Sequence, residues 1–294
     1  MDQNYRNCAQ LFATLYSNII SLYSLTLLAS TEPMCYNAEA AARKLIDYAK
    51  QRGNLNYVAQ LEQFLKDLES TKEKKFFVNG YARPKLIGFS MEEPMKPRDF
   101  QWGFVPKWVK NSADINKQMK LNAKVETMFE IEVFKESALK RRCLIYLDAF
   151  YEYHSYKKNK YPFRVTMRED VPLIMGGIWR DWVDYKTGEV QQSVALVTTE
   201  ANTMMAKIHN EPAASATPRM PVILTKAQQD GWLIDIRSES DIQFIKNLAK
   251  PLDDDLMIAY TVARPTGKEG LGNVKEIENE FKYSDLDYTD LIFK

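Results

Sequence analysis

The chain has 294 residues, 45% hydrophobic and 27% charged, the composition of an ordinary soluble globular protein able to bury one large core or two modest ones. Forty basic residues against thirty-nine acidic ones leave a net charge of +1, so a polyanion must be met by a local basic patch and not by the field of the whole molecule. Three cysteines (Cys8, Cys35, Cys143) without CxxC spacing and two histidines (His154, His209) argue against a disulfide framework, a zinc site or a histidine-rich metal centre, and suit a reducing, cytoplasmic setting.

In chain order, residues 18–30 (NIISLYSLTLLAS) form an apolar stretch of about signal-peptide length. Only Arg6, balanced by Asp2, precedes it, and no clear small-residue cleavage site follows. Its unbroken apolar run is shorter than the roughly 20 residues of a membrane-spanning helix. Met34–Cys35 then reads as a second start, with an abrupt change of composition. Residues 1–34 are therefore a leader, a pro-segment removed to expose Cys35, or a mis-assigned upstream extension. The last is favoured, and residues 35–294 form the working domain.

Helical spacing marks 38–51 and 57–68 as an amphipathic pair. Segments 74–90 and 100–109 read as strands broken by Gly and Pro. Four segments at 141–154, 161–168, 171–182 and 190–199, separated by polar turns, predict an antiparallel meander. Helices are expected at 200–208 and at 226–235, the latter opened by Thr225 with Gln228 in capping-box register. The pattern is α+β: a single domain with a largely antiparallel β core flanked by helices.

Two positions carry distinctive chemistry. A cysteine at a true N-terminus offers an α-amine with a pKa near 8 and a thiol with a pKa near 8.5, both partly nucleophilic at neutral pH. An internal Cys35 offers only the thiol, and a lone cysteine is more often a small buried hydrophobe. In the strand FYEYH, Glu152 alternates with Phe150 and His154 on one face, while Tyr151 and Tyr153 take the other. A carboxyl among aromatic rings is poorly solvated, so its pKa should rise and it could act as a proton donor. In isolation, a glutamate on a wet strand face, a structural histidine at 209 and a turn-forming asparagine at 122 are the ordinary readings.

The motifs MCYN (34–37), WGFVPKW (102–108), LNAKVET (121–127), RRCLIYLDAFYEY (141–153), GGIWRDW (176–182) and a histidine preceding PRMPVIL (218–224) occur in that order. Together they resemble the SOS-response-associated peptidase (SRAP) family, whose members shield abasic sites in single-stranded DNA by covalent crosslinking. The resemblance spans Met34 to about Val274. It implies an α+β SRAP-type domain in which Cys35 is the nucleophile and Asn122, Glu152 and His209 are active-site residues. His209 matches only if the inserted EPAASATP, between Asn210 and Arg219, loops outward.

For DNA contact, the run from 107 to 124 carries Lys107, Lys110, Lys117, Lys120 and Lys124 against Asp114 and follows two tryptophans, Trp102 and Trp108. Arg83, Arg142, Arg219 and Asn37 complete the expected channel. The chain departs from the family in having MCYN for MCGR and NAK for NAR. Tyr36 thus stands for a glycine, while Asn37 and Lys124 each replace an arginine and remove a guanidinium fork, which lysine cannot reproduce.

Three functions follow from this reading. The first is a sensor that forms a thiazolidine with abasic single-stranded DNA through Cys35. The second is a cysteine peptidase using Cys35 and His209, with its own leader as a candidate substrate. The third is a non-covalent single-strand binding module. No cofactor, metal or membrane partner is expected, and the protein is expected to be a monomer.

Overall fold

The computed structural model describes residues 79–293 except 95, 170, 212–216 and 268, together with residues 46, 50, 58, 59, 61–63, 66, 76 and 77. Cys8, Cys35, Tyr36, Asn37 and the boundary at residue 34 lie outside the described residues.

The strands are β1 (Lys85–Ser90), β2 (Arg98–Trp102), β3 (Asn122–Lys124), β4 (Arg142–Leu147), β5 (Phe150–Tyr156), β6 (Asn159–Met167), β7 (Leu173–Val183), β8 (Val190–Glu200), β9 (Arg219–Pro221) and β10 (Met257–Thr261). Between them run the helices α1 (Ile115–Gln118), α2 (Glu132–Lys140), α3 (Thr203–Ile208), α4 (Lys226–Trp232) and α5 (Glu239–Leu248). The larger sheet runs β2–β1–β4–β7–β8, and a short parallel pairing of β2 with β8, Gln101 to Ser193 and Trp102 to Val194, closes it on itself. Beyond that closure β8 runs on past the ends of β2 and β7, and its last residues pair with β3 on one side and β9 on the other.

Closure explains why these strands are apolar on both faces. On β4, Cys143, Ile145 and Leu147 join Leu86, Phe100, Val194 and Leu196 in one core, while Leu144 and Tyr146 join Ile87, Phe89, Val197 and Trp232 in the other. The paired glycines of GGIW lie between these cores. A Cβ on Gly176 would come within 2.8 Å of the Trp232 ring, and one on Gly177 within 2.8 Å of Cys143 Sγ. Neither site has room for a side chain.

The second sheet is antiparallel, in the order β10–β6–β5. The chain passes from barrel to second sheet at Asp148–Ala149, so the single strand expected over 141–154 is two. The expected meander is corrected accordingly: β6 pairs with β5 and β10, whereas β7 returns to pair with β4 and β8. A buried ion pair between Asp148 and Arg164 ties this corner to β6.

Among the described residues of the N-terminal helical pair, Ile46, Val58 and Leu61 are helical and buried in the outer core. The helix expected at 200–208 begins at Thr203, because Asn202 caps it by accepting the Met205 N–H at 2.8 Å. The helix expected at 226–235 ends at Trp232 and keeps its Thr225/Gln228 capping box. α1, α2 and α5 lie outside the helices expected from the sequence. α5 announces itself by a capping box, Ser238 with Asp241.

Candidate active site

β5 is the edge strand of the smaller sheet, and α3 packs against it. The alternation of β5 turns Glu152 inward with Phe150, onto the side where α3 ends. His209 is the residue at which α3 stops: its N–H still bonds the Met205 carbonyl at 2.8 Å, but its backbone (φ −87°, ψ 60°) has left the helix. The start of α3 is equally anchored. Asp254 accepts the Met204 N–H at 3.1 Å, and the Asn202 side chain donates to the Leu252 carbonyl at 2.8 Å.

These constraints bring Glu152 Oε2 to 3.5 Å from His209 Nδ1, with the two residues only 7% and 6% exposed. The other oxygen, Oε1, accepts the N–H of Tyr153 at 3.0 Å. Burial pushes the Glu152 carboxyl up to about 7, partly offset by that N–H. Burial also lowers the His209 imidazole, against the pull of a hydrogen bond to the Arg219 backbone and with help from the charge of Lys160. Both shifts favour neutral forms. With the carboxyl close to its midpoint at pH 7 and the imidazolium disfavoured by burial, the contact is not a fixed salt bridge, consistent with His209 Nδ1 having no hydrogen-bond partner among the described residues. Such a pair can give a proton from one side and take one on the other.

Asn122 opens β3 and pairs in parallel with Leu196 of β8. Its position is set from behind: the Leu121 carbonyl accepts both the Leu196 N–H at 3.0 Å and the Trp102 indole N–H at 2.9 Å. Asn122 Oδ1 is buried and without a hydrogen-bond partner among the described residues. Two residues on, Thr198 of β8 lies opposite Lys124 of β3 and Pro221 of β9. Arg219 of β9 bonds the Thr198 carbonyl at 2.7 Å and Glu126 at 2.8 Å. Asn122 is thus joined to the His209 end of the site through the β3–β8–β9 ladder and the Arg219 backbone.

The residues expected to meet DNA divide three ways. Lys124 is exposed and Arg219 is half-buried, both beside Thr198 near the end of β8. Trp108 is 54% exposed, with its indole N–H on Gln118 at 2.7 Å. Arg83 is half-buried, with a left-handed backbone, and bonds Gln191 at 3.1 Å. Trp182 pairs with Gln191 and donates its indole N–H to the Val109 carbonyl, so Arg83 and Trp108 sit toward the beginning of β8, roughly 20 Å along the strand from Thr198.

Trp102 and Arg142 face no solvent. Trp102 is 2% exposed within the barrel core. Arg142 is fully buried, and its guanidinium donates to the carbonyls of Ala138, Leu139, Trp232 and Ile234. A surface that contacts DNA cannot include them, because one ring is packed away and the other fork has its donors engaged by backbone. Residues the sequence reading missed are Asn202, Asp254 and Asn210, which anchor the two ends of α3, and Glu126, the partner of Arg219 inside the NAKVET motif. The IHN sequence at the close of a predicted helix was the available signal for Asn210.

Among the described residues no group of acidic, histidine or cysteine side chains is arranged to hold a metal, and no helix is long and apolar enough to cross a membrane.

The chain belongs to the SOS response associated peptidase (SRAP) family, whose profile matches residues 44–268. Over 164 residues it is 31% identical to the abasic site processing protein YoqW of Bacillus subtilis (strain 168), covering 55% of this chain and 67% of that one. Over 143 residues it is 27% identical to the abasic site processing protein HMCES of Xenopus tropicalis, covering 42% of this chain and 40% of that one. A crystal structure of a Bacteroides thetaiotaomicron protein superposes with a TM-score of 0.58 at 28% identity, covering 69% of this chain and 85% of that one.

Proposed function

We propose that this protein binds and processes abasic sites in single-stranded DNA, and that it does so by forming a thiazolidine between the lesion and Cys35 at a free N-terminus. The observation that carries the proposal is the buried Glu152–His209 pair, which can hold one proton between two sites at neutral pH. Relatives named as abasic site processing proteins support the same reading.

In the proposed reaction the closed abasic sugar opens first. Glu152, as the acid, protonates the ring oxygen while His209 Nδ1 accepts the proton of the anomeric hydroxyl. The aldehyde then takes the Cys35 α-amine, and the carbinolamine loses water to give an imine. The thiol adds to the imine carbon, the nitrogen gains the thiol proton, and a five-membered ring closes. Aldehyde and cysteine thus give thiazolidine and one water, with no change of redox state. The unused Asn122 Oδ1 would orient the amine. Lys124 and Arg219 would meet phosphates, and Trp108 would offer an exposed ring for a base. The chemistry requires an α-amine on Cys35, so the active form in this proposal begins at that residue, and the reducing conditions of a cytoplasm would keep its thiol free.

The test is incubation of protein beginning at Cys35 with a single-stranded oligonucleotide bearing one abasic site. A heat-stable adduct is expected, absent with intact DNA and absent from Cys35→Ala. Equal, salt-sensitive binding to intact and abasic strands with no covalent product would establish a plain binding module instead. Dependence of the removal of residues 1–34 on the Cys35 thiol would point to peptidase chemistry.

A further inference from the structure

Asn210, immediately after His209, is exposed, yet both polar atoms of its side chain are committed to one residue of β5. Oδ1 accepts the Ser155 N–H at 2.8 Å, and Nδ2 donates to the Ser155 carbonyl at 2.9 Å. These two bonds also fix the orientation of the amide, since only one assignment matches a donor and an acceptor. On the other side of His209, the Lys207 carbonyl lies 2.8 Å from His154 Nδ1, which must therefore carry the proton.

Ser155 presents these groups because β5 pairs with β6 alone among the described residues, leaving every second N–H and C=O on its free edge. The Tyr153 N–H on this edge is taken by Glu152 Oε1 at 3.0 Å. The Glu152 carboxyl and the Asn210 amide thus occupy neighbouring positions along the edge and complete it as a missing strand would. His209 lies between contacts made by residues 207 and 210, both to β5.

From this arrangement we infer that Asn210 is a positioning residue: its side-chain amide latches the end of α3 to the edge of β5 and sets the separation between Glu152 and His209. The inference rests on the proposed chemistry for its catalytic consequence, but not for its structural one. Without the latch, His209 at the end of α3 is no longer held against β5, water reaches Glu152, and the carboxyl returns toward its ordinary range. The other titratable and charged groups on the elements packed around the pair are Tyr151, Tyr153, His154 and Tyr156 of β5, Lys160, Tyr161 and Arg164 of β6, Lys207 of α3 and Arg219 of β9, and none of them replaces the two bonds to Ser155.

The test uses Asn210→Ala and Asn210→Asp in protein beginning at Cys35, with two readouts. The first is the titration of Glu152 in DNA-free protein, followed by carboxyl-carbon NMR. The second is the pH dependence of adduct formation with an abasic oligonucleotide. For Asn210→Ala the Glu152 midpoint should fall by one unit or more, and the alkaline limb of the adduct profile should move to lower pH by the same amount, with a roughly tenfold slower rate at pH 7. Asn210→Asp keeps the acceptor for the Ser155 N–H but sets oxygen against the Ser155 carbonyl, so it should lie between alanine and the parent. A Glu152 midpoint unchanged in both variants overturns the inference, whatever happens to the rate. Failure of the parent to form any adduct overturns the proposed crosslink, while the NMR titration still decides the latch.

Discussion

Arg142 and Glu152 are both ionisable groups removed from water, one in the outer wall of the barrel and one on the edge of the smaller sheet, and their surroundings treat them oppositely. The guanidinium of Arg142 is met by four backbone carbonyls drawn from the end of α2 and the end of α4 and beyond. Burial lowers it only to about 10, so it stays charged at neutral pH. Glu152 has one backbone N–H on one oxygen and an imidazole without hydrogen-bond alignment on the other. Burial lifts it to about 7. A buried group whose bonds are complete holds structure together, whereas one left with unused capacity costs stability and is available to a substrate.

The sharpest way to break this contrast is substitution at both positions. Glu152→Gln should slow adduct formation with an abasic oligonucleotide by about 10²- to 10⁴-fold, read by gel at pH 7, with the fold intact by circular dichroism. Arg142→Met should leave four carbonyls without donors and lower unfolding free energy by about 3–5 kcal/mol, read by urea denaturation.

pH separates the two further. The folded-state carboxyl of Glu152 lies above its unfolded value, so between about 4.5 and 7 the folded state binds more protons than the unfolded one, and stability falls as pH rises through that window. Glu152→Gln removes this penalty. It should match the parent at pH 4 and exceed it by about 3 kcal/mol at pH 8, a stabilisation bought at the expense of activity. Equal stability of the two proteins at pH 8 would mean that Glu152 is not desolvated.

Smaller effects test the two tryptophans of WGFVPKW against each other. Trp108→Ala should weaken single-strand binding by about 1–3 kcal/mol without altering stability, read by fluorescence anisotropy. Trp102→Phe should lose about 1 kcal/mol of stability through the missing bond to the Leu121 carbonyl, and should change DNA binding only as far as β3 shifts.

The sequence made one side of this contrast readable and hid the other. The period-two alternation of FYEYH put Glu152 on the face of Phe150, and a carboxyl among aromatics predicts desolvation from residue types alone. Arg142 could not be read this way, because a basic residue opening a strand looks like a surface residue. Its partners are carbonyls near residues 138 and 232–234, and a carbonyl carries no sequence signal. Barrel closure was hidden for the same reason: the pairing of β2 with β8 joins residues about ninety apart through two rungs. The break at Asp148–Ala149 escaped notice because the apolar pattern runs through it, while the strand itself changes sheets. Helix positions were closer, since capping side chains such as Thr225 and Asn202 are local chemistry.

The central claim is that Cys35 reacts through its amine as well as its thiol. Two proteins differing only in whether the Cys35 α-amine is free or acetylated should be mixed with the same abasic oligonucleotide and examined by denaturing gel and intact mass. The account predicts a heat-stable adduct from the free amine and none from the acetylated protein. Equal adduct from both would contradict it, because a thiol alone cannot close a thiazolidine.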